Sequence, residues 1–199
     1  MTQPANAMRV FVAVKIPADA KQELGKLIDK LALENSRVVR WVALEGIHLT
    51  MKFLGDVEPS RISDVVEAMS GAANEIAPFR ILLSGLGTFP NDRRPRVLWA
   101  GVAGDLGPMQ ELQRRVEDSM AGLGFDRDKR PFNPHLTLGR VRDQASDTER
   151  RGIGAAFSRQ ALGALEPWLA EEVYLIQSHL GPKGATYSDL ASRPLAGAN

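Results

Sequence analysis

Residues 46–57 run GIHLTMKFLGDV, an apolar stretch broken by His48, Thr50 and Lys52 and closed by Gly55 and Asp56, a turn signal. Read as a strand, the segment has two different faces, because successive side chains point to opposite sides. His48 and Thr50 share one face, with Lys52 after them, while Ile47, Leu49, Met51 and Phe53 share the other. The pattern returns 87 positions later, where His135, Leu136, Thr137 and Leu138 stand as His48, Leu49, Thr50 and Met51 do. Each copy buries an apolar face and presents an imidazole beside a hydroxyl. A repeat of this kind suggests two related lobes that turn their His-Thr pairs into one cleft.

Outward from the first motif, residues 9–16 (RVFVAVKI) are β-branched and apolar, a strand that Pro17 ends. Leu24, Leu27, Ile28 and Leu31 then fall at helical spacing, and residues 38–43 read as a strand. Pro59 starts a second helix through Ile62, Val65, Val66, Met69, Ala73 and Ile76. Strands follow at 79–86 and 97–102, separated by the breaker-rich loop PNDRRP at 90–95. Met109, Leu112, Val116 and Met120 mark a third helix over 106–120. A basic loop at 126–134 leads into a strand at 135–141. Residues 144–159 are polar and weakly patterned. Beyond them strands are expected at 172–177 and 186–190, with a turn at 181–184. Short connections and half-polar strands point to an α+β fold, with antiparallel sheets backed by helices, rather than a doubly wound parallel sheet.

The bulk numbers exclude several function classes. With 25 basic and 24 acidic residues, any anionic ligand must be held by local charge rather than by the field of the whole protein. Cysteine is absent, which removes disulfides, thiolate zinc sites and cysteine nucleophiles together. The first residues show no secretory pattern, and no apolar stretch approaches the ~20 residues that span a bilayer. A protein of the cytoplasm, away from membranes, is expected. Neither a Gly-x-Gly-x-x-Gly fingerprint nor a Gly-x-x-x-x-Gly-Lys-Ser/Thr loop is present, so dinucleotide or Walker-type binding is not expected.

The duplicated pair suits phosphodiester chemistry. Imidazole, with an ordinary pKa of ~6.5, accepts or donates a proton near neutrality. Two imidazoles on opposite sides of a phosphorus supply base and acid for an in-line displacement. Threonine hydroxyls two residues on can stabilise the charge that gathers on the non-bridging oxygens. Both proton carriers are side chains, so no metal or other cofactor is expected.

HLTM and HLTL resemble the two H-x-T-x motifs of the 2H phosphoesterase superfamily. The flanks are similar to its RNA 2′,3′-cyclic phosphodiesterase branch, also called 2′-5′ RNA ligases. The matching stretches are RVFVAVKIP (9–17), GIHLTMKFLGDV (46–57), PRVLWAGV (95–102), RPFNPHLTLGRV (130–141) and S-x-L-x-P-x-G-x-x-Y (178–187). The resemblance implies one bilobal domain over 1–199, with flexible ends at 1–8 and 191–199. It also implies two antiparallel sheets related by pseudo-twofold symmetry about a cationic cleft, with helices outside. The implied reaction is hydrolysis of 2′,3′-cyclic phosphate ends of RNA, or of small cyclic nucleotides, to 2′-phosphates. On that likeness His48 protonates the O3′ leaving group and His135 activates water. Thr50 and Thr137 bind the phosphate, Arg130 adds positive charge, and Phe11 and Tyr187 stack on a base. No obligate protein partner is expected, and the chain is read as a monomer.

Other readings stand beside these. Arg130 lies in a loop that is charged in any case, and Phe11 and Tyr187 also suit packing. Lys52 reads as a solvated rim lysine within reach of phosphate, and His179, without a threonine partner, as structural. Trp41, Trp99 and Trp168 read as packing residues. Arg93, Arg94 and Arg96 are either a basic lip for an RNA backbone or a polar hairpin tip. The same acid and base also serve 2′-5′ ligation, with an RNA hydroxyl in place of water. A protein that grips RNA ends without turning them over is the alternative from another class. A metal-dependent hydrolase is disfavoured, since two histidines lack acidic or thiol partners at ligand spacing.

Overall fold

The computed structural model describes residues 6–163, 165–181 and 184–197. In chain order, β1 (Met8–Lys15) leads to α1 (Ala18–Asn35), β2 (Val39–Trp41) and β3 (His48–Val57). Then come α2 (Ile62–Ala73), β4 (Phe79–Phe89), β5 (Val97–Gly104), α3 (Leu106–Gly122) and β6 (His135–Val141). The chain closes with α4 (Asp147–Ser158), β7 (Trp168–Ala170), β8 (Glu172–Gly181) and β9 (Gly184–Pro194). The expected turn at 181–184 falls partly on residues outside the described set.

All strand pairs are antiparallel, and the order is β7-β4-β5-β6-β3-β1-β8-β9, with β2 beside β6. Along that order each motif strand carries three others outward, and β6 holds β2 besides. The β3–β6 joint itself is one residue pair, Leu49 with Leu136. The two expected sheets are joined there into one hydrogen-bonded path.

The helices cover the apolar face, which explains their stripes. Leu24, Leu27, Ile28 and Leu31 of α1 are all buried, as are Met109, Leu112, Val116 and Met120 of α3. The latter four are each fully buried, and such burial contributes about 1.5–3 kcal/mol per side chain. Helix α3 packs on α2 and on β3, so the first histidine motif rests on helical ridges.

Four local expectations are corrected. Gly55, expected in a turn that ends the strand, lies inside β3 at φ 75°, beside a register shift that leaves Leu54 unpaired. Only glycine adopts that conformation without strain, so it serves a bulge. The weakly patterned stretch at 144–159 contains α4. Its capping box has Glu149 N–H donating to Ser146 Oγ at 3.3 Å and Ser146 N–H donating to Glu149 Oε2 at 2.7 Å. Its apolar stripe, Ile153 and Phe157, is too sparse to stand out by period alone. The three-residue β7 was not foreseen. Finally, Met8 pairs with Val57, 191–194 belong to β9, Leu195 is buried, and Gly197 N–H bonds to Ile76 O. These residues are held, where loose ends were expected.

Candidate active site

Leu49 and Leu136, which join β3 to β6, are both buried in the core. Strand alternation therefore sends His48, Thr50, His135 and Thr137 to the opposite face. Extending the antiparallel register by one residue sets His48 across from Thr137, and Thr50 across from His135. Side chains directly opposite lie about 4.5–5.5 Å apart and diagonal ones about 7–8 Å. That register sets the two imidazoles on a diagonal of the junction, each across from the other motif's threonine.

Both rings are oriented by backbone two residues upstream. His135 Nδ1 is 2.7 Å from the Asn133 carbonyl oxygen, and His48 hydrogen-bonds the Gly46 backbone. A carbonyl only accepts, so Nδ1 of His135 donates and Nε2 is left for chemistry.

Aromatic walls hold the rings from the side. Phe11 stacks on His48 with centroids 4.4 Å apart and planes 26° apart, and Tyr187 meets His48 edge-on at 5.4 Å. Phe89 meets His135 edge-on at 5.0 Å, with Trp99 behind it at 6.3 Å. Gly46 makes room for this packing: a Cβ there would lie 2.7 Å from the Tyr187 ring. Burial in this apolar corner pushes His48 down to about 4, against the pull of its Gly46 hydrogen bond, and the charge of Lys21 lowers it further. His48 is therefore neutral at pH 7 in the free protein. Burial likewise raises Tyr187 above the usual phenol value, opposed by the charge of Arg140.

The face assignments hold up to the fourth residue of each motif and then change. Along β3, Thr50 pairs with Ala13 but Lys52 with Val12, so Met51 is an extra residue. Along β6, Thr137 pairs with Trp99 but Gly139 with Leu98, so Leu138 is extra in the same place. A bulge resets the alternation. Phe53, expected in the core, is consequently 61% exposed with its ring 5.7 Å from Phe11. Lys52, expected at the rim, is 1% exposed; its Nζ donates to Glu117 Oε1 and to the Asp126 carbonyl, both at 2.8 Å. Glu117 Oε1 also accepts from Asp128 N–H at 2.7 Å. The buried pair thus ties β3 and α3 to the loop that carries Arg130.

The remaining candidates separate clearly. Phe11 is 2% exposed beneath His48, so it supports the imidazole and has no free face for a base. Tyr187, 36% exposed, keeps an open edge. Arg130 and His135 line one open trough of about 1370 Å³, together with Thr50, Phe53, Arg96 and Arg140. Arg94 of the 90–95 loop reaches Asp147 at 3.6 Å. His179 is on β8 with its Nε2 2.8 Å from Ser188 Oγ, a structural setting. Trp41 and Trp168 pack against the core, and Trp99 packs on Phe89 with centroids 5.1 Å apart. Phe53 and Lys52 are the residues that strand alternation misplaced, because the bulge is set by a partner strand. Among the described residues no group of three His, Asp or Glu side chains is placed to hold a metal ion, and no helix is long and apolar enough to cross a membrane.

The chain is similar to known proteins over most of its length. Residues 14–99 and 105–187 match the family described as LigT like phosphoesterase. The chain is 33% identical over 188 residues to the RNA 2′,3′-cyclic phosphodiesterase of Geobacillus stearothermophilus, covering 94% of this chain and 57% of that one. It is 34% identical over 183 residues to the protein of the same name from Archaeoglobus fulgidus, covering 92% and 98%. The crystal structure of a Thermus thermophilus protein superposes with a TM-score of 0.79 at 29% identity, covering 96% of this chain and all of that one. E. coli LigT in apo form, at 22% identity, shares the fold with a TM-score of 0.75 over 96% of this chain and 98% of its own.

Proposed function

The chain belongs to the LigT-like phosphoesterase family, and on that premise we propose that it hydrolyses the 2′,3′-cyclic phosphate ends of RNA to 2′-phosphates. The observation that supports this reading is the junction of β3 and β6 at Leu49 and Leu136, from which strand alternation turns both His-Thr pairs to the same face. Water attacks phosphorus and gives its proton to Nε2 of His135. The P–O3′ bond breaks, and His48 delivers a proton to O3′, leaving a 2′-phosphate and a 3′-hydroxyl. The new P–O bond forms as the old one breaks, and before the next turnover His135 gives its proton to solvent and His48 regains one. Thr50 and Thr137 donate to the non-bridging oxygens, which carry more charge in the transition state than in the ground state.

His48 is neutral at pH 7 in the free protein, so it acts as an acid only after gaining a proton with the anionic substrate. The cyclic phosphate provides the incentive, since an adjacent negative charge favours imidazolium. His135 keeps Nδ1 on the Asn133 carbonyl and enters with Nε2 free to accept. Arg130 supplies positive charge at the mouth of the site.

The test is turnover of a short RNA ending in a 2′,3′-cyclic phosphate, with excess chelator, by the native protein and by His135→Ala. A 2′-phosphate product that vanishes in the variant supports the proposal. Tight binding with no turnover by the native protein refutes it and assigns the histidines to gripping RNA ends.

A further inference from the structure

The loop at 126–134 has no secondary structure of its own. Residues 126–131 are exposed, and among the described residues 126–133 form no backbone–backbone hydrogen bond. Such a segment keeps its course only through what grips it from outside. Among the described residues, three polar contacts do so ahead of Arg130. Lys52 Nζ donates to the Asp126 carbonyl at 2.8 Å, Asp128 N–H donates to Glu117 Oε1 at 2.7 Å, and Arg127 meets Asp118 at 2.7 Å. The last is an exposed ion pair and contributes little. The other two both come from the buried pair of Lys52 and Glu117. On the other side of the site the orienting backbone supports itself: Gly46 N–H donates to the Ala43 carbonyl at 2.8 Å and Ile47 N–H to the Leu44 carbonyl at 3.1 Å.

The strand bulge itself does not need this pair. Past its own bulge β6 has Gly139 where β3 has Lys52, and Gly139 is buried under apolar side chains. A Cβ there would lie 2.7 Å from Val39 Cγ1 and 3.0 Å from Trp41 Cε3. The second lobe thus builds the same feature without a charge. A buried ion pair is also a weak stabiliser, since the loss of hydration offsets most of the attraction and apolar residues of like volume often serve as well. What apolar side chains could not do is bind backbone, and Lys52 and Glu117 each give a polar atom to the loop. From Asp128 the route to the second motif is stiff. Pro131 and Pro134 fix their own φ and keep Arg130 and Asn133 out of the helical region, while Phe132 packs on the core. At its end the Asn133 carbonyl oxygen lies 2.7 Å from His135 Nδ1.

We propose that Lys52 and Glu117 are positioning residues for the reaction: they hold the start of the 126–134 loop so that its end presents the Asn133 carbonyl to His135 and leaves Nε2 turned to the substrate. This rests on the reading of His135 as the base and names what aims it.

The experiment exchanges the pair for apolar residues of similar size. Lys52→Met/Glu117→Leu removes both loop contacts, whereas in Lys52→Met/Glu117→Gln an amide oxygen still accepts from Asp128 N–H. Val116→Ala, a core truncation on the same helix, is the control for lost stability. Each protein is assayed for turnover of a short RNA with a 2′,3′-cyclic phosphate end, for urea unfolding, and by ring-nitrogen NMR of His135. The first double variant is expected to lower kcat ~30-fold with KM within about threefold of native, because a displaced base slows the chemistry more than it weakens binding. The second, with one loop contact kept, is expected to lose only ~5-fold. The native His135 ring is expected to carry its proton on Nδ1, and the first double variant to show a mixture of tautomers. Val116→Ala is expected to lose stability and to keep kcat, KM and the tautomer. Native kcat and a native tautomer in the first double variant overturn the proposal, and so does an equal fall of kcat in Val116→Ala. Should the first variant fail to fold, the second decides, and native values there overturn the proposal as well. If the native protein turns over no RNA end, the hydrolytic reading fails, and the tautomer of His135 still decides whether the pair aims it.

Discussion

Substrate binding should charge His48, and the size of the effect follows from the site. In the free protein burial holds this imidazole at about 4. A cyclic phosphate is a monoanion across the whole pH range of interest. Placed about 4 Å from the ring, at the effective dielectric of ~20 suited to such sites, one negative charge is worth ~4 kcal/mol. At 1.36 kcal/mol per unit that is about three pKa units, which brings bound His48 to about 7. The bound value exceeds the free one, so binding takes up a proton, and affinity must rise as pH falls between about 7 and 4. The rise approaches tenfold per unit below the bound value and amounts to about 50-fold from pH 7 to pH 5. The assay is calorimetric titration of His135→Ala with adenosine 2′,3′-cyclic phosphate, since this variant should not turn the ligand over. Titration in two buffers of different ionisation heat also counts the protons. About one proton taken up near pH 5.5 is expected. Affinity that is flat from pH 7 to pH 5, with no proton uptake, would refute the coupling and with it His48 as the acid.

Further perturbations should each have a distinct signature. His48→Ala and His135→Ala are expected to lower turnover ~100-fold or more, and Thr50→Ala and Thr137→Ala somewhat less, in steady-state assays. In His48→Ala the residual rate should rise with pH, because His135 then remains as the base; a fall instead would exchange the two roles. Lys52→Met leaves Glu117 buried without its cation and should cost about 3–5 kcal/mol in urea unfolding at pH 7. Adding Glu117→Gln should recover part of that loss, whereas an additive loss would argue against the pair. Ser146→Ala removes the cap of α4 and should cost about 1 kcal/mol in thermal unfolding, with kcat and KM unchanged.

The sequence by itself determined the two motif strands, the three long amphipathic helices and the α+β class, because those signals are local. A period of two or of 3.6 is written in neighbouring residues, and the duplicated His-x-Thr names its own chemistry. The capping box at Ser146 and Glu149 was equally local, although its helix has too short an apolar stripe to show by period. What only the tertiary structure decided lies past the bulges at Met51 and Leu138. An extra residue in a strand is defined against its partner, and β1 and β5 are each more than 30 residues from the strand they pair with. That non-local register put Phe53 and Arg140 on the trough. It also buried Lys52 against Glu117, 65 positions away, in a pairing no window of sequence contains. Phe11 was turned in the same way, from a surface for a base into the floor beneath His48. Burial against that floor sets the charge of His48, so the sequence names the proton carrier and the packing fixes when it holds a proton.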